Sequence, residues 1–355
     1  MARKGNQRGR KTQPDSVTIK DIAREANVSV TTVSNVIHGR YHRVSPATVE
    51  KVRSIIRKYN YTPNMFARSL VKQQSRIIGV INHLIPSQHG SFLQDLFHGT
   101  FVGGIERTLR GRDYFLMLRT VDDTRELYSL LKHWNMDGVI VVGLFKDEFF
   151  DLLLSSGTPL VLIDSYIEVE SDRVFKVGLE DYKGGYLATK YLIQKGHTRI
   201  AFAGPEILDG GVVAERFRGY RDALEEAGLS FREEDVFIQD ITVEEGKKLA
   251  YKLSRVGGIT AVFATADSLA AGILLGTQDL GRRVPEDLSI VGFDDLPMSR
   301  FTHPPLTTIH QDVEEKGVMA ANLLIDFLEG KPIPQREVVF SVRLVERSSV
   351  AERRS

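Results

Sequence analysis

Short apolar runs alternate with helical stretches over most of the chain, and this alternation restricts the fold more than any other feature. Nine runs rich in aliphatic residues lie at 77–81, 114–118, 138–142, 160–163, 175–177, 200–203, 236–238, 261–263 and 288–291. Seven stretches with helical spacing lie between or beside them, at 92–110, 124–134, 147–155, 182–195, 214–227, 244–254 and 268–280. Short buried strands separated by helices predict parallel sheets with helices on both faces.

The number of elements predicts two lobes rather than one. Nine strands exceed one comfortable open sheet, and 355 residues are too many for a single compact core. We therefore predict two doubly wound α/β lobes, at about 77–177 and 178–306. A helix at 313–329 is expected to return to the first lobe, adding 311–333 to it. The last strand, about 338–344, is expected to join the second lobe, adding 336–347.

The formal net charge of +1 conceals an uneven distribution along the chain. Residues 1–76 hold 16 lysines and arginines against 4 aspartates and glutamates, a net charge of +12. The remaining residues hold 31 against 42, a net charge of −11. A basic module joined to an acidic body points to a polyanion as the partner of the first part.

The basic part predicts a small all-α domain at 17–61, after a disordered basic arm at 1–16. Thr18 can cap a first helix, Asn27 suits a left-handed turn, and Ser29 can cap a second helix through Ile37. Ser45 and Pro46 open a third helix with apolar residues at helical spacing. Two short helices about a tight turn, with a third in support, describe a helix-turn-helix.

The exposed face of the second helix is small and hydrogen-bonding, as a helix that enters a major groove requires. It comprises Ser29, Val30, Thr31, Thr32, Ser34 and Asn35. The alternative, that these residues only cap and solvate a short helix, is disfavoured by the surrounding positive charge. The segment 62–76 then predicts a hinge helix and linker too short to be stable alone. Its exposed Leu70 either packs on the body or acts as a wedge in the minor groove.

These motifs resemble the lactose/galactose-repressor family of bacterial transcription regulators. The resemblance is carried by 18–23, 28–34, 61–64 and 67–70, and in the body by 137–140, 196–200, 215–220, 288–295 and 305–309. It implies that Val30, Thr31 and Asn35 face bases and that Ser29, Thr32 and Ser34 hold phosphates. It also implies that Arg68, Ser69 and Leu70 contact DNA, with Leu70 as the hinge-helix lever. The body then has the architecture of periplasmic binding proteins.

Three charged residues fall where open α/β sheets bind ligands, outside the carboxyl ends of their strands. Asp164 and Asp294 each follow a strand, and Arg216 opens a helix after a glycine-rich turn. Each alone would be read as a capping or surface charge, but three matching family effector positions favour a pocket that grips sugar hydroxyls or purine edges. Asn82, Phe92 and Tyr166 are further candidates for it.

Other chemistries find little support in the sequence. Cysteine is absent, which excludes disulfides and cysteine-built metal sites. His83, His89 and His98 fit no metal motif, Trp134 is expected in the core, and Gly103-Gly104 is expected at a close helix contact. No nucleophile–base set is visible. We expect no metal, cofactor or catalytic residue. We also expect no apolar span or secretory signal, and hence a cytoplasmic protein without membrane contact.

The sequence thus predicts a dimeric repressor on a pseudo-palindromic operator of double-stranded DNA, controlled by a small polar effector between the lobes. A sugar or sugar derivative is the favoured effector. Two alternatives remain open: a regulator controlled by a partner protein, and a sugar-binding carrier or enzyme built on the same body.

Overall fold

The computed structural model describes residues 17–61, 74–83 and 92–353. These residues divide into a small unit within 1–75 and a larger one within 76–355. The predicted basic arm at 1–16 and most of the predicted hinge at 62–76, including Arg68, Ser69 and Leu70, lie outside the described residues. So does His89.

The small unit is a three-helix domain. Its helices are α1 (Ile19–Ala26), α2 (Val30–Ile37) and α3 (Pro46–Lys58). Asn27 ends α1 in the left-handed region at φ 54°, which turns the chain into α2 within three residues. All three predicted side-chain caps are present. The hydroxyls of Thr18, Ser29 and Ser45 accept hydrogen bonds from the backbone amides three residues later, those of Asp21, Thr32 and Thr48 respectively. One small core holds the helices together, built on Ile22, Val33 and Val52.

The larger unit contains the two predicted α/β lobes. The strands are β1 (Ile77–Asn82), β2 (Phe115–Thr120), β3 (Gly138–Val142), β4 (Leu160–Ile163), β5 (Val174–Leu179), β6 (Ile200–Gly204), β7 (Val236–Ile238), β8 (Ala261–Ala264), β9 (Ser289–Asp294), β10 (Thr307–His310), β11 (Glu337–Phe340) and β12 (Arg343–Val345). The helices are α4 (Leu96–Gly111), α5 (Thr124–His133), α6 (Glu148–Ser155), α7 (Asp181–Gln194), α8 (Val212–Glu226), α9 (Val243–Leu253), α10 (Asp267–Asp279) and α11 (Val313–Leu328). None of the helices in the described part of the chain is long and apolar enough to cross a membrane.

Each lobe is a six-stranded sheet between two helical layers. The first sheet has the order β11-β5-β4-β3-β1-β2, and the second β12-β10-β9-β8-β6-β7. Neighbouring strands are parallel except β12, which runs antiparallel to β10. Alternate residues of a strand face opposite layers. In β3, for example, Ile140 and Val142 join the core under α4 and α11, whereas Val139 and Val141 join the core under α5 and α6.

The carboxyl-terminal segment corrects one prediction. The segment 336–347 was assigned to the second lobe, but its first half, β11, pairs with β5 in the first sheet. Only its second half, β12, joins the second sheet. The chain therefore crosses between the lobes three times, after β5, β10 and β11. The first and third crossings touch, since the Glu180 amide donates to the Phe340 carbonyl over 3.0 Å. A strand-length apolar pattern does not specify which sheet edge it pairs with.

Two smaller expectations have opposite outcomes. Trp134 ends α5 with 48% of its surface exposed, so its assignment to the core was wrong. Gly104 does mark a close helix contact: a Cβ atom there would lie 2.3 Å from the Glu314 carbonyl oxygen of α11. The neighbouring Gly103 is exposed, and a Cβ atom on it would meet nothing within 4 Å.

This pair of glycines allows a matched test of helix packing. Gly104→Ala should lower the free energy of unfolding by about 1–3 kcal/mol, because the new methyl group forces α4 away from α11. Gly103→Ala should leave it unchanged or raise it by about 0.5–1 kcal/mol, since alanine favours a helix. Urea unfolding of both variants measures this, and equal effects at the two positions would contradict the contact.

Candidate functional site: a charged crevice between the lobes

Two aspartates turn the chain at the carboxyl ends of central strands. Asp164 follows β4 of the first sheet with φ 52°, and Asp294 ends β9 of the second sheet with φ 112°. Aspartate tolerates the left-handed region better than most residues do. Both carboxyl groups are buried, with 8% and 6% of the residue surface exposed.

Arg216 reaches the same region from α8. Glycines bring α7 and α8 into contact, since a Cβ atom on Gly185 would lie 2.0 Å from the Arg216 carbonyl oxygen and one on Gly219 would lie 2.1 Å from that of Tyr182. The Arg216 guanidinium therefore meets Asp181 at the start of α7 and donates from Nε to its Oδ1 over 2.8 Å. It also stacks on the Phe293 ring, at 3.6 Å from the ring centre.

Residues of the first lobe extend the cluster around Arg216. Tyr166 follows β4, and its hydroxyl donates to the Asp181 carboxylate over 2.9 Å. Lys316 on α11 donates to both oxygens of Asp164, over 2.8 and 2.9 Å. Gln311, at the second crossing between the lobes, accepts from Lys316 and donates to Asp294 over 2.6 Å.

The buried charges shift one another's pKa values. Burial raises the pKa of the Asp294 carboxyl to about 7, although the Arg216 charge and the Gln311 amide act against it. Burial also raises the pKa of Asp181, against the pull of Arg216. The pKa of Tyr166 is raised by burial and by the neighbouring Asp181 and Asp164. Burial opposes the charged form of Arg216, but the surrounding carboxylates raise its pKa overall.

Four of the six predicted effector residues are thus joined in one network: Asp164, Tyr166, Arg216 and Asp294. The other two lie in the first lobe beside different partners. Asn82 ends β1, and its amide donates to the Thr120 hydroxyl over 3.3 Å. The Phe92 ring packs at 4.2 Å from the His98 ring, and His98 is paired with Asp95.

Sequence reasoning missed three members of the network: Asp181, Gln311 and Lys316. The signal for Lys316 was present, because it stands in α11 at a position where the helical pattern of Val313, Ala320 and Leu324 requires an apolar residue. Within the described residues, no group of three or more histidine, aspartate or glutamate side chains could hold a metal ion.

The three-helix domain carries the second candidate site on α2. Ser29, Val30 and Thr31 are exposed, and Thr32, Ser34 and Asn35 are partly exposed, on the face opposite the buried Val33 and Val36. The Ser29 and Thr32 hydroxyls bond each other at 2.9 Å. This face presents small hydrogen-bonding groups to solvent, as a recognition helix does.

Comparison with known proteins identifies the family to which the two parts of the chain are related. Residues 18–64 match the model of bacterial regulatory proteins of the lacI family, and residues 189–350 match a periplasmic binding protein-like domain. The chain is 33% identical to the HTH-type transcriptional regulator CelR of Thermobifida fusca over 337 residues, covering 94% of this chain and 98% of CelR. This protein belongs to the LacI family.

Further relatives place the LacI-family chain among transcription regulators. It is 34% identical to the HTH-type transcriptional repressor PurR of Vibrio atlanticus, covering 94% of this chain and 98% of PurR. A solved complex of CelR with cellobiose has 31% identity and a TM-score of 0.70, covering 94% of this chain and 99% of that one. The lac repressor dimer bound to operator and the anti-inducer ONPF has 24% identity and a TM-score of 0.80, covering 95% and 100%, and shares the fold.

The raised pKa of Asp294 predicts a pH dependence of stability. A carboxyl whose pKa rises from 3.8 to about 7 on folding binds its proton more tightly in the folded protein. It therefore stabilises the fold fully below about pH 4, and this contribution is lost as the pH rises to about 7. Asp294→Asn should remove this loss, which is at most about 4 kcal/mol. Thermal unfolding from pH 4 to 8 measures it, with the exposed Asp209→Asn as control. Parallel profiles for wild type and Asp294→Asn would contradict the assignment.

Proposed function

We propose that this LacI-family regulator is a homodimeric repressor that binds a pseudo-palindromic operator through α2 and responds to a small sugar held between its lobes. The observation that carries the proposal is the polar network of the crevice, which takes side chains from both lobes. A ligand that bonds to Asp164 on one side and to Arg216 or Asp294 on the other changes the relative free energy of lobe orientations. Such differential binding is what allosteric control requires.

The DNA part of the proposal rests on charge and on the α2 surface. Residues 1–76 carry a net charge of +12, whereas the rest of the chain carries −11. The acidic part repels phosphates, so the basic part supplies the DNA contacts. In this assignment Val30, Thr31 and Asn35 contact bases, and Ser29, Thr32 and Ser34 contact phosphates. Arg68, Ser69 and the lever Leu70 remain predictions from the sequence.

Dimerisation follows from the geometry of operator recognition. One helix-turn-helix reads one half-site, and a two-fold dimer places two of them on a palindrome. The lac repressor, which shares this fold, was solved as a dimer on its operator. A repressor of this kind acts in the compartment that holds the DNA. We propose no catalytic activity for it.

The sugar assignment rests on chemistry and on a relative. Carboxylates and a guanidinium bind hydroxyl groups through paired, charge-assisted hydrogen bonds. Cellobiose is the ligand in the solved CelR complex. Purines are the alternative, because a PurR repressor is comparably similar and the same groups bind purine edges. A partner protein as the controlling ligand would leave the crevice residues without effect on control.

Operator recognition can be tested at Asn35. Asn35→Ala should weaken specific operator binding by roughly 5- to 150-fold, which corresponds to the loss of one base contact. Non-specific affinity and the salt dependence should stay unchanged, since no phosphate contact is lost. Fluorescence anisotropy measures the affinity for DNA from upstream of the protein's own gene and for random DNA, each at several salt concentrations. Ser54→Ala, on the exposed face of α3, is the control. An equal loss on random DNA would contradict base contact.

Effector control can be tested at Arg216. Arg216→Ala should raise the sugar concentration needed to change operator affinity by at least about tenfold, because a hydrogen bond to a charged group is removed. The matched control is Arg218→Ala on the same helix, whose side chain is 59% exposed. The probes are cellobiose, other uncharged mono- and disaccharides, and purine bases. If no probe changes the operator affinity of the wild-type chain, the crevice is not the control site for these ligands.

A further inference from the structure

Lys316 is a fully buried charge in the larger unit's crevice. None of its surface is exposed, and it lies on the inner face of α11. Its ammonium group contacts three acceptor atoms: the two carboxylate oxygens of Asp164, at 2.8 and 2.9 Å, and Oε1 of Gln311, at 2.7 Å. An ammonium group has three N–H donors. The ammonium group is therefore held by one carboxylate and one amide oxygen, with none of the Lys316 surface open to solvent.

Lys316 also orients the Gln311 amide. Because Oε1 of Gln311 accepts from Lys316, its Nε2 is turned to Asp294 and donates over 2.6 Å. One ammonium group therefore pairs the carboxylate of the first lobe and sets the hydrogen bond to the carboxylate of the second lobe.

The charged groups around Asp164 are paired, with the exception of Asp294. Lys316 faces it from α11, Asp181 and Arg216 act on it from α7 and α8, and Tyr166 lies on its own loop. Asp294 completes the set from β9, and the charge of Asp95, which is paired with His98 at the start of α4, acts on Asp294. Asp164 pairs with Lys316 and Asp181 pairs with Arg216, which leaves Asp294 on the Gln311 amide.

We propose that Lys316 is a positioning residue that neutralises Asp164 and thereby restricts the effector of this crevice to an uncharged polyhydroxyl compound. The proposal rests on the proposed function, since it assumes that the crevice binds the effector.

The physical reason is the cost of an unpaired buried charge. A carboxylate oxygen bonded to Lys316 keeps a lone pair, so Asp164 still accepts a hydroxyl group. An anionic ligand would compete with Asp164 for Lys316 and add to the carboxylates already present. An amino ligand would find Asp164 already paired and could bind it only by displacing Lys316. In either case one buried charge loses its partner, which is costly.

Ligand preference gives the first test, made on the full chain by calorimetry. The probes are glucose and cellobiose, with glucosamine and glucuronate as charged analogues. Wild type should bind an uncharged sugar at least tenfold more tightly than either charged analogue. Lys316→Met should shift the ratio toward glucosamine by at least tenfold, since Asp164 is then free to pair with the amine. The control is Lys331→Met. The Lys331 side chain is 49% exposed and forms ion pairs at the surface, so this variant should leave the ratio unchanged. Equal wild-type affinity for a charged analogue, or an unchanged ratio in Lys316→Met, overturns the proposal.

Thermal unfolding gives a second test that needs no ligand. Lys316→Met should lower the melting temperature, because it leaves the buried Asp164 carboxylate without its cation. Adding Asp164→Asn to this variant should recover most of that loss, whereas a role of Lys316 in packing alone predicts no recovery. A double variant that is no more stable than Lys316→Met overturns the proposal even if no sugar binds. Failure of every sugar to bind, with this recovery present, counts instead against the sugar assignment.

Discussion

The pairing of buried charges that line the crevice is the constraint on which the larger unit depends. Asp164, Asp181, Arg216, Asp294 and Lys316 are all nearly or fully buried. Each would cost several kcal/mol without a partner in a medium of low polarity. They are satisfied together, through the Lys316–Asp164 and Arg216–Asp181 pairs and the Gln311 amide. A lobe movement that breaks the Tyr166–Asp181 or Gln311–Asp294 hydrogen bond must supply another partner, and an effector's hydroxyl groups can do so.

The network also contacts the crossings that join the lobes. Asp181 begins α7 directly after the first crossing, and Gln311 lies in the second. Glu180 reaches the third, since its carboxylate accepts the Val342 amide over 3.3 Å. The polar groups of the crevice and the polypeptide linking the lobes are therefore held by the same set of bonds. A ligand that rearranges those bonds acts directly on the segments about which the lobes can turn.

Sequence periodicity predicted the doubly wound lobes and the three-helix domain because both patterns are local. Alternating layers in β3 and the caps Thr18, Ser29 and Ser45 depend only on neighbouring residues. Asp164, Arg216 and Asp294 were also found, because a residue after a parallel strand or at the start of a helix is readable in one dimension. The pairing of β11 with the first sheet was not predicted, since several sheet edges accept the same apolar strand.

By itself the sequence determined the fold class, the basic helix-turn-helix domain, the resemblance to the LacI family and the strand ends that bear charge. Tertiary structure alone decided which charges meet. Asp181 and Arg216 are 35 residues apart, and Asp164 and Lys316 are 152 apart, yet each pair shares a hydrogen bond. The local pattern gives no reason for a lysine in an apolar stripe of a helix, and the reason appears only once its partner is known. Its energy depends on a carboxylate brought from a distant part of the chain, which no local property of the sequence encodes.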